Sequence, residues 1–392
     1  MRPATDHLVV SFAPPDIGDA EMRAVVDVLQ SGWLTTGPKV KAFEEAVAAY
    51  TGAKHAIAVN SGTAALHLSL LAAGIEAGRE VVTTPYTFCA TINAIIHAGG
   101  TPVLADIDLT TLNLDPAAAE AAVTPRTAAL LPVHFAGRPA PLVRLGGIAA
   151  RHGLTIVDDA AHAFGAAAGS RRIGAAADLT AFSFHAVKNI TTGEGGMITT
   201  DRADWAERIR VLALHGMSRD AWARYSGRGA AQYEIVEAGF KYNMMDLQAA
   251  IGLQQLARIE AMQAHRRALW RRYDEGLADL PLTRPAPVAR HDVGEPEPTH
   301  AHHLYTVLVE RDLCGWTRDD LAAALRERGI ATSVHFKAVH LHRYYAERFG
   351  FRRGMFPNAE FVSDRTLSLP LSAGTDEADV DRVVTVLREL VK

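Results

Sequence analysis

Three short stretches carry residue types able to do chemistry. The first is FSFHAVKNITTGEGGM, Phe182 to Met197, where Lys188 follows an apolar run and precedes a glycine-rich turn. A lysine held in a desolvated pocket has a lowered pKa and becomes a nucleophile toward carbonyl groups. Ser183 could donate to a phosphate, and Gly193, Gly195 and Gly196 permit close backbone approach. The second is VDDAAHAFGA, Val157 to Ala166, in which Asp158 and Asp159 end a strand-like run and His162 follows. Ligands of open α/β sheets bind at such strand ends, and an ionised carboxylate there needs a cation or hydrogen bonds. The third is NSGTAALHL, Asn60 to Leu68, at a strand-to-helix junction. Small residues and a helix N-terminus favour an anion, although the stretch matches neither the Walker A pattern nor the dinucleotide fingerprint. Singly, each has a plain structural reading: a surface-loop lysine, a capping acid with a satisfied histidine, a serine N-cap. Together they supply, in order, a phosphate cradle, a strand-end acid and a lysine. Those are the parts that pyridoxal 5'-phosphate requires: a phosphate site, a carboxylate for the pyridine nitrogen and an amine for the aldehyde. Phe88, in TPYTFCATI, offers a flat surface for the ring.

The elements that must position these residues alternate along the first 200 residues. Apolar runs at Ala56–Val59, Glu80–Thr84, Pro102–Ile107, Ala128–Phe135, Leu154–Ala160, Leu179–Phe184 and Gly196–Thr200 read as strands. Helical runs separate several of them, at Ala64–Ala73 and Phe88–Ala98 among others. Strands that do not alternate polar with apolar are covered on both faces, so the pattern predicts an α/β fold with a mainly parallel central sheet. Helical periodicity then runs from Asp246 to Leu277, with Arg258, Arg266, Arg267, Arg271 and Arg272 expected on a solvated face. Strands at His303–Val309 and Ile330–Phe336 and helices at Thr317–Gly329 and Thr375–Leu390 suggest a smaller α+β unit. We expect a large cofactor-binding domain over residues 1–250 and a small C-terminal domain over 251–392. The histidines of THAHH, Thr299 to His303, lack a nearby acid and read as loop and strand histidines, so no metal is expected.

Composition narrows the class. The chain has 392 residues, 40 Lys and Arg against 44 Asp and Glu, and a formal charge of −4. That balance argues against a nucleic-acid binder and against an anionic-membrane binder. Two cysteines make neither a disulfide framework nor a four-thiolate zinc site. No signal peptide and no run of about 18 apolar residues is found, so a cytoplasmic enzyme is expected.

The ordered motifs resemble the DegT-type nucleotide-sugar aminotransferases, pyridoxal-phosphate enzymes of fold type I. The resemblance runs over nearly the whole chain, from SGWLTTGPKV (Ser31 to Val40) through the three stretches above and PVHFAG (Pro132 to Gly137) to GFKYNMMDLQAAIGLQQL (Gly239 to Leu256) and SVHFKAVH (Ser333 to His340). It implies that Lys188 holds the cofactor's aldehyde and shuttles protons. It implies that Asp159 pairs with the pyridinium nitrogen, that Asp158 stands where the family usually has Glu, and that His162 contacts the phenolic oxygen. Gly62, Thr63 and Ser183 would hold the phosphate and Phe88 would stack on the ring. Asn243 would reach the phosphate in the other subunit, which implies a homodimer with shared active sites.

The subgroup most similar aminates carbon 4 of a UDP-linked 4-keto pentose, forming UDP-4-amino-4-deoxy-L-arabinose. It implies L-glutamate as amino donor and Thr35, Tyr86, His185 and His335 as sugar-site residues. Arg224 and Arg228 could meet the diphosphate. The chain departs from that subgroup at SGTAAL (commonly SATAGM) and at TPYTF (commonly TPSMTW), which widens the expected substrate to dTDP- or UDP-linked 4-keto sugars, including 4-keto-6-deoxyhexoses. Amination at carbon 3, a dehydratase and a cofactor-binding regulator are the alternatives. Sugar dehydratases of the family replace the lysine with histidine, and here position 188 is Lys.

Overall fold

The computed structural model describes residues 9–218, 234–288 and 297–391. Its centre is a sheet of seven strands: β1 (His55–Val59), β2 (Glu80–Thr83), β3 (Thr101–Leu104), β4 (Thr127–Leu131), β5 (Thr155–Asp159), β8 (Leu179–Ser183) and β9 (Gly196–Thr200). A two-stranded hairpin, β6 (Ala167–Ala168) with β7 (Arg171–Arg172), lies outside it. The order across the sheet is β1-β9-β8-β5-β4-β2-β3. Only β9 opposes its neighbours; the remaining pairs are parallel. The C-terminal ends of β1, β2, β4, β5 and β8 therefore share one edge of the sheet.

The strands are buried on both faces, as their uninterrupted apolar runs predict. One face, with Phe182 on it, packs on Phe43, Val47, Leu145 and Phe164. The other packs on the helix Gly62–Ala72, whose Leu66, Leu68 and Leu70 are all buried. A helix apolar on every side belongs inside a protein, and this one crosses the sheet beside β8 and β9.

A second core gathers the C-terminal elements. Strands β10 (Tyr305–Leu308) and β11 (Thr366–Leu369) pair antiparallel. The helices Ile259–Gly276, Arg318–Glu327 and Glu377–Leu390 cover them with Leu269, Tyr273, Leu321, Leu325, Val383 and Leu387. Val10 joins the same core by bridging Ile330, and Phe12 accepts a hydrogen bond from the Leu371 amide at 3.1 Å. A further cluster, with Tyr86, Phe135, Leu304 and Val339, joins the two cores.

Three expectations change. The helical run from Asp246 is broken at Arg258 into Asp246–Ala257 and Ile259–Gly276. Arg258 turns the chain there because its guanidinium is tied to Asp16 and Glu21, each at 2.7 Å. Arg266 is 1 % exposed rather than solvated, because Met262, Arg266, Leu269 and Tyr273 form one stripe at helical spacing that faces the C-terminal core. The run Ile330–Phe336 is not a strand. It makes only single bridges, from Ile330 to Val10 and from Ser333 to Ser368, and then turns toward the sheet edge. Among the described residues no helix is long and apolar enough to cross a membrane.

Candidate active site

A cavity of about 460 Å³ opens at the shared strand edge. Gly62, Thr63, Phe88, Asp159, His162, Ser183, His185, Lys188 and His335 all line it, although they lie far apart in the chain.

The anion cradle comes from two backbones in contact. Ser61 caps the helix Gly62–Ala72 by accepting from the Ala64 amide at 3.1 Å. A Cβ on Gly62 would stand 2.8 Å from Ser183 Cβ, and one on Gly196 would stand 2.4 Å from Ser61 O. Neither position admits a side chain, so the helix N-terminus, its amides and the Ser183 hydroxyl sit close together. Asp159 ends β5. Its Oδ2 accepts from Thr91 Oγ1 at 2.7 Å and its Oδ1 from the Ala161 amide at 3.1 Å. Thr87 Oγ1, in the turn just before the helix Cys89–His97, lies 2.7 Å from Thr91 Oγ1. Burial raises the Asp159 pKa, while these two hydrogen bonds and the Lys188 charge pull it back. Asp158, one residue earlier, points to the opposite face. There it lies 3.2 Å from His134 Nε2, both side chains fully buried. His134 Nδ1 accepts from the Ala140 amide at 2.8 Å, which leaves the ring proton on the Nε2 that faces Asp158.

Lys188 sits in the turn after β8, its amide bonded to the His185 carbonyl at 2.9 Å. Burial pushes its amine down to about 8, against the pull of Asp159. An amine so placed is largely neutral in mildly basic solution and nucleophilic. His162 and His335 are also pushed down, His335 to about 4, first by burial and then by the Lys188 charge. Both imidazoles are neutral near pH 7. His162 Nδ1 is buried without a hydrogen-bond partner among the described residues. His335 Nδ1 is 2.8 Å from Ser368 Oγ. Phe88 is 58 % exposed at the mouth of the cavity, 6.1 Å from the Phe336 ring.

Two expected site residues are not brought here, and Asn243, expected to serve the other subunit's site, also stands outside this cavity. Tyr86 is fully buried and donates to the His335 carbonyl at 2.6 Å, so it lies behind the wall. Thr35 is exposed, and Asn243 donates to Thr36 Oγ1 at 2.7 Å, away from the cavity lining. Arg224 and Arg228 lie outside the described residues. The cavity in turn gathers residues the sequence reading passed over: Phe12, Thr87, Glu194, Ser333, Phe336 and His303. His303 comes from the THAHH run. The rings of His300 and His302 pack on each other and on Trp270, while His303 turns inward to within 4.3 Å of the His162 ring centroid. Among the described residues no three or more His, Cys, Asp or Glu are grouped to hold a metal ion.

The residues present fit pyridoxal phosphate: a cradle closed to side chains, a buried carboxylate, a neutral-leaning amine and an orphaned imidazole nitrogen share one cavity. Known proteins share the sequence and the fold. The chain is 50 % identical over 383 residues to the Bacillus subtilis spore coat polysaccharide biosynthesis protein SpsC, covering 97 % of each. Its fold matches the PMP form of the putative sugar aminotransferase Spr1654 from Streptococcus pneumoniae, with a TM-score of 0.89, 33 % identity and 97 % and 98 % of the two chains covered. It also matches DesI, solved in the presence of its TDP-sugar product, with a TM-score of 0.84, 36 % identity and 98 % and 93 % covered. With residues 15–388 matching its model, the chain belongs to the DegT/DnrJ/EryC1/StrS aminotransferase family.

Proposed function

We propose that this chain is a pyridoxal-phosphate-dependent aminotransferase that moves an amino group from L-glutamate to carbon 4 of a dTDP- or UDP-linked 4-keto sugar. The observation that carries the reading is the convergence of Lys188, Asp159 and the Gly62–Ser183 cradle on one cavity. The bound cofactor supplies an electron sink for the carbon that bears the amine.

Around it the side chains have separate tasks. Gly62, Thr63 and Ser183 bind the phosphate, Phe88 lies against the ring, and His162 meets the phenolic oxygen. Asp159 keeps a proton on the pyridine nitrogen, with Thr91 and the Ala161 amide holding its carboxylate in place. Lys188 holds the aldehyde and then moves protons at the reacting carbon, a task suited to an amine near 8. His185 and His335 face the sugar. Thr35 and Asn243, on the outer face, act in the site of a second copy of the chain. An apolar stripe of Met22, Val26 and Leu29 on the helix Asp19–Ser31, with Trp33, Leu34 and Met245, supports that homodimer, since all six are exposed. We place the enzyme in the cytoplasm.

The visible spectrum tests the reading. The yellow band of protein loaded with pyridoxal phosphate should bleach with L-glutamate and return with a dTDP- or UDP-4-keto sugar. A band that ignores both would overturn it.

A further inference from the structure

His303 has a fixed proton and a vacant acceptor. The Asn189 amide donates through Nδ2 to the Ala301 carbonyl at 2.6 Å, which leaves Oδ1 as the atom 2.9 Å from His303 Nδ1. Oδ1 can only accept, so His303 carries its proton on Nδ1 and its lone pair on Nε2. Both residues are buried, His303 at 3 % and Asn189 at 2 % exposure, so the arrangement is shielded from exchange with water. Among the described residues nothing donates to Nε2, and His303 lines the cavity that holds Lys188 and Asp159.

We propose that His303 Nε2 accepts a hydrogen bond from the substrate's ring hydroxyl next to the reacting carbon, which for a 4-keto sugar is the hydroxyl on carbon 3. The inference rests on the sugar reading above and deepens it. Four neighbours bear on the ring's charge: His162, Lys188, Arg266 and His335. Burial is the chief reason the imidazole stays neutral, and these four groups, each cationic or able to become so, add to it. A neutral acceptor suits a hydroxyl and gives no charge to attract the α-carboxylate of an amino acid. The residue thus reads the sugar and not the donor. A buried acceptor left unpaired is costly, so a sugar lacking that hydroxyl is disfavoured.

The test compares two ligands on the holoenzyme. The dissociation constants of the aminated nucleotide-sugar product and of its 3-deoxy analogue are measured by calorimetry for wild type, His303→Phe and His303→Gln. The rates of band loss with L-glutamate and band return with the 4-keto sugar are measured alongside. The expected result is a loss of about 10- to 100-fold for the 3-deoxy analogue in wild type. His303→Phe should bind product and analogue alike and lose band return by a similar factor, with bleaching by glutamate kept. His303→Gln, which can present an oxygen near the Nε2 position, should recover part of the discrimination. Equal loss of both half-reactions in His303→Phe, or wild type that does not discriminate the analogue, overturns the inference and leaves the aminotransferase reading standing. A wild-type band that ignores glutamate and every keto sugar overturns both.

Discussion

Gly62, Asp159 and Ser183 leave the ends of strands in one sheet or the helix that follows, whereas His303, His335 and Phe336 on the facing wall belong to segments without ladder pairing. The first wall is fixed by backbone hydrogen bonds along β5 and β8 and by close contact between Gly62 and Ser183. The second is held by isolated tethers: the His303 amide to the Ala136 carbonyl, Tyr86 to the His335 carbonyl, Asn189 to Ala301, and Ser363 Oγ accepting from the Ala338 amide. A ladder constrains every residue it includes, whereas a tether constrains one point. Chemistry common to many substrates belongs on the first wall, and recognition of one substrate on the second.

The comparison breaks most sharply if Lys188 is removed. Lys188→Ala is expected to lower turnover by about 10⁴-fold or more, since one group acts as nucleophile and as acid–base. Stopped-flow monitoring of the cofactor band checks it, and near-native turnover would sink the assignment. Asp159→Asn should cost about 10²- to 10³-fold in kcat. That loss should fall equally on both half-reactions, because the ladder wall serves both. Thr91→Val removes one hydroxyl from the Asp159 carboxylate and should cost about 10-fold. Single-turnover rates that spare one half-reaction would place Thr91 with the substrate wall instead.

The smallest effect concerns pH. His162, His303 and His335 are all depressed from the ordinary value of 6.5, His335 to about 4. Between those values the unfolded chain binds more protons than the folded one, so stability rises with pH there. Their contribution is complete above 6.5 and is lost as pH falls toward 4. For His335 alone the expected loss is about 2 kcal/mol between pH 7 and pH 5, read from urea midpoints, and the other two histidines steepen the fall. His335→Asn should flatten the slope, whereas an unchanged slope would show that the tethered wall does not couple to acid.

The ladder wall was the readable part of the sequence. Buried strands announce themselves as unbroken apolar runs, and β9 has the expected bounds at both ends. Lys188, Asp159, Ser183 and Gly62 stand at strand ends, where the α/β rule places ligands. The tethered wall had no such rule. The inward turn of His303 depends on Asn189, 114 positions away. Thr87 and Thr91 stand four residues apart, but only the fold shows that Thr91 reaches Asp159 and that Thr87 backs Thr91. At Arg266 charge and spacing disagree: the charge predicts a solvated face, whereas Met262, Leu269 and Tyr273 mark that face as inward, and the spacing wins.

The contact between Phe12 and Leu371 bears on when the site can exist. Both residues line the cavity, and about 360 residues of chain separate them. At roughly 5–20 residues per second, a ribosome takes roughly 20–70 s to deliver the second after the first. The sheet with Lys188 and Asp159 can form in that interval, while Val10 and Phe12 wait for partners still to be made. Cofactor capture during synthesis would therefore meet an open half-site, and release of the finished chain would close it.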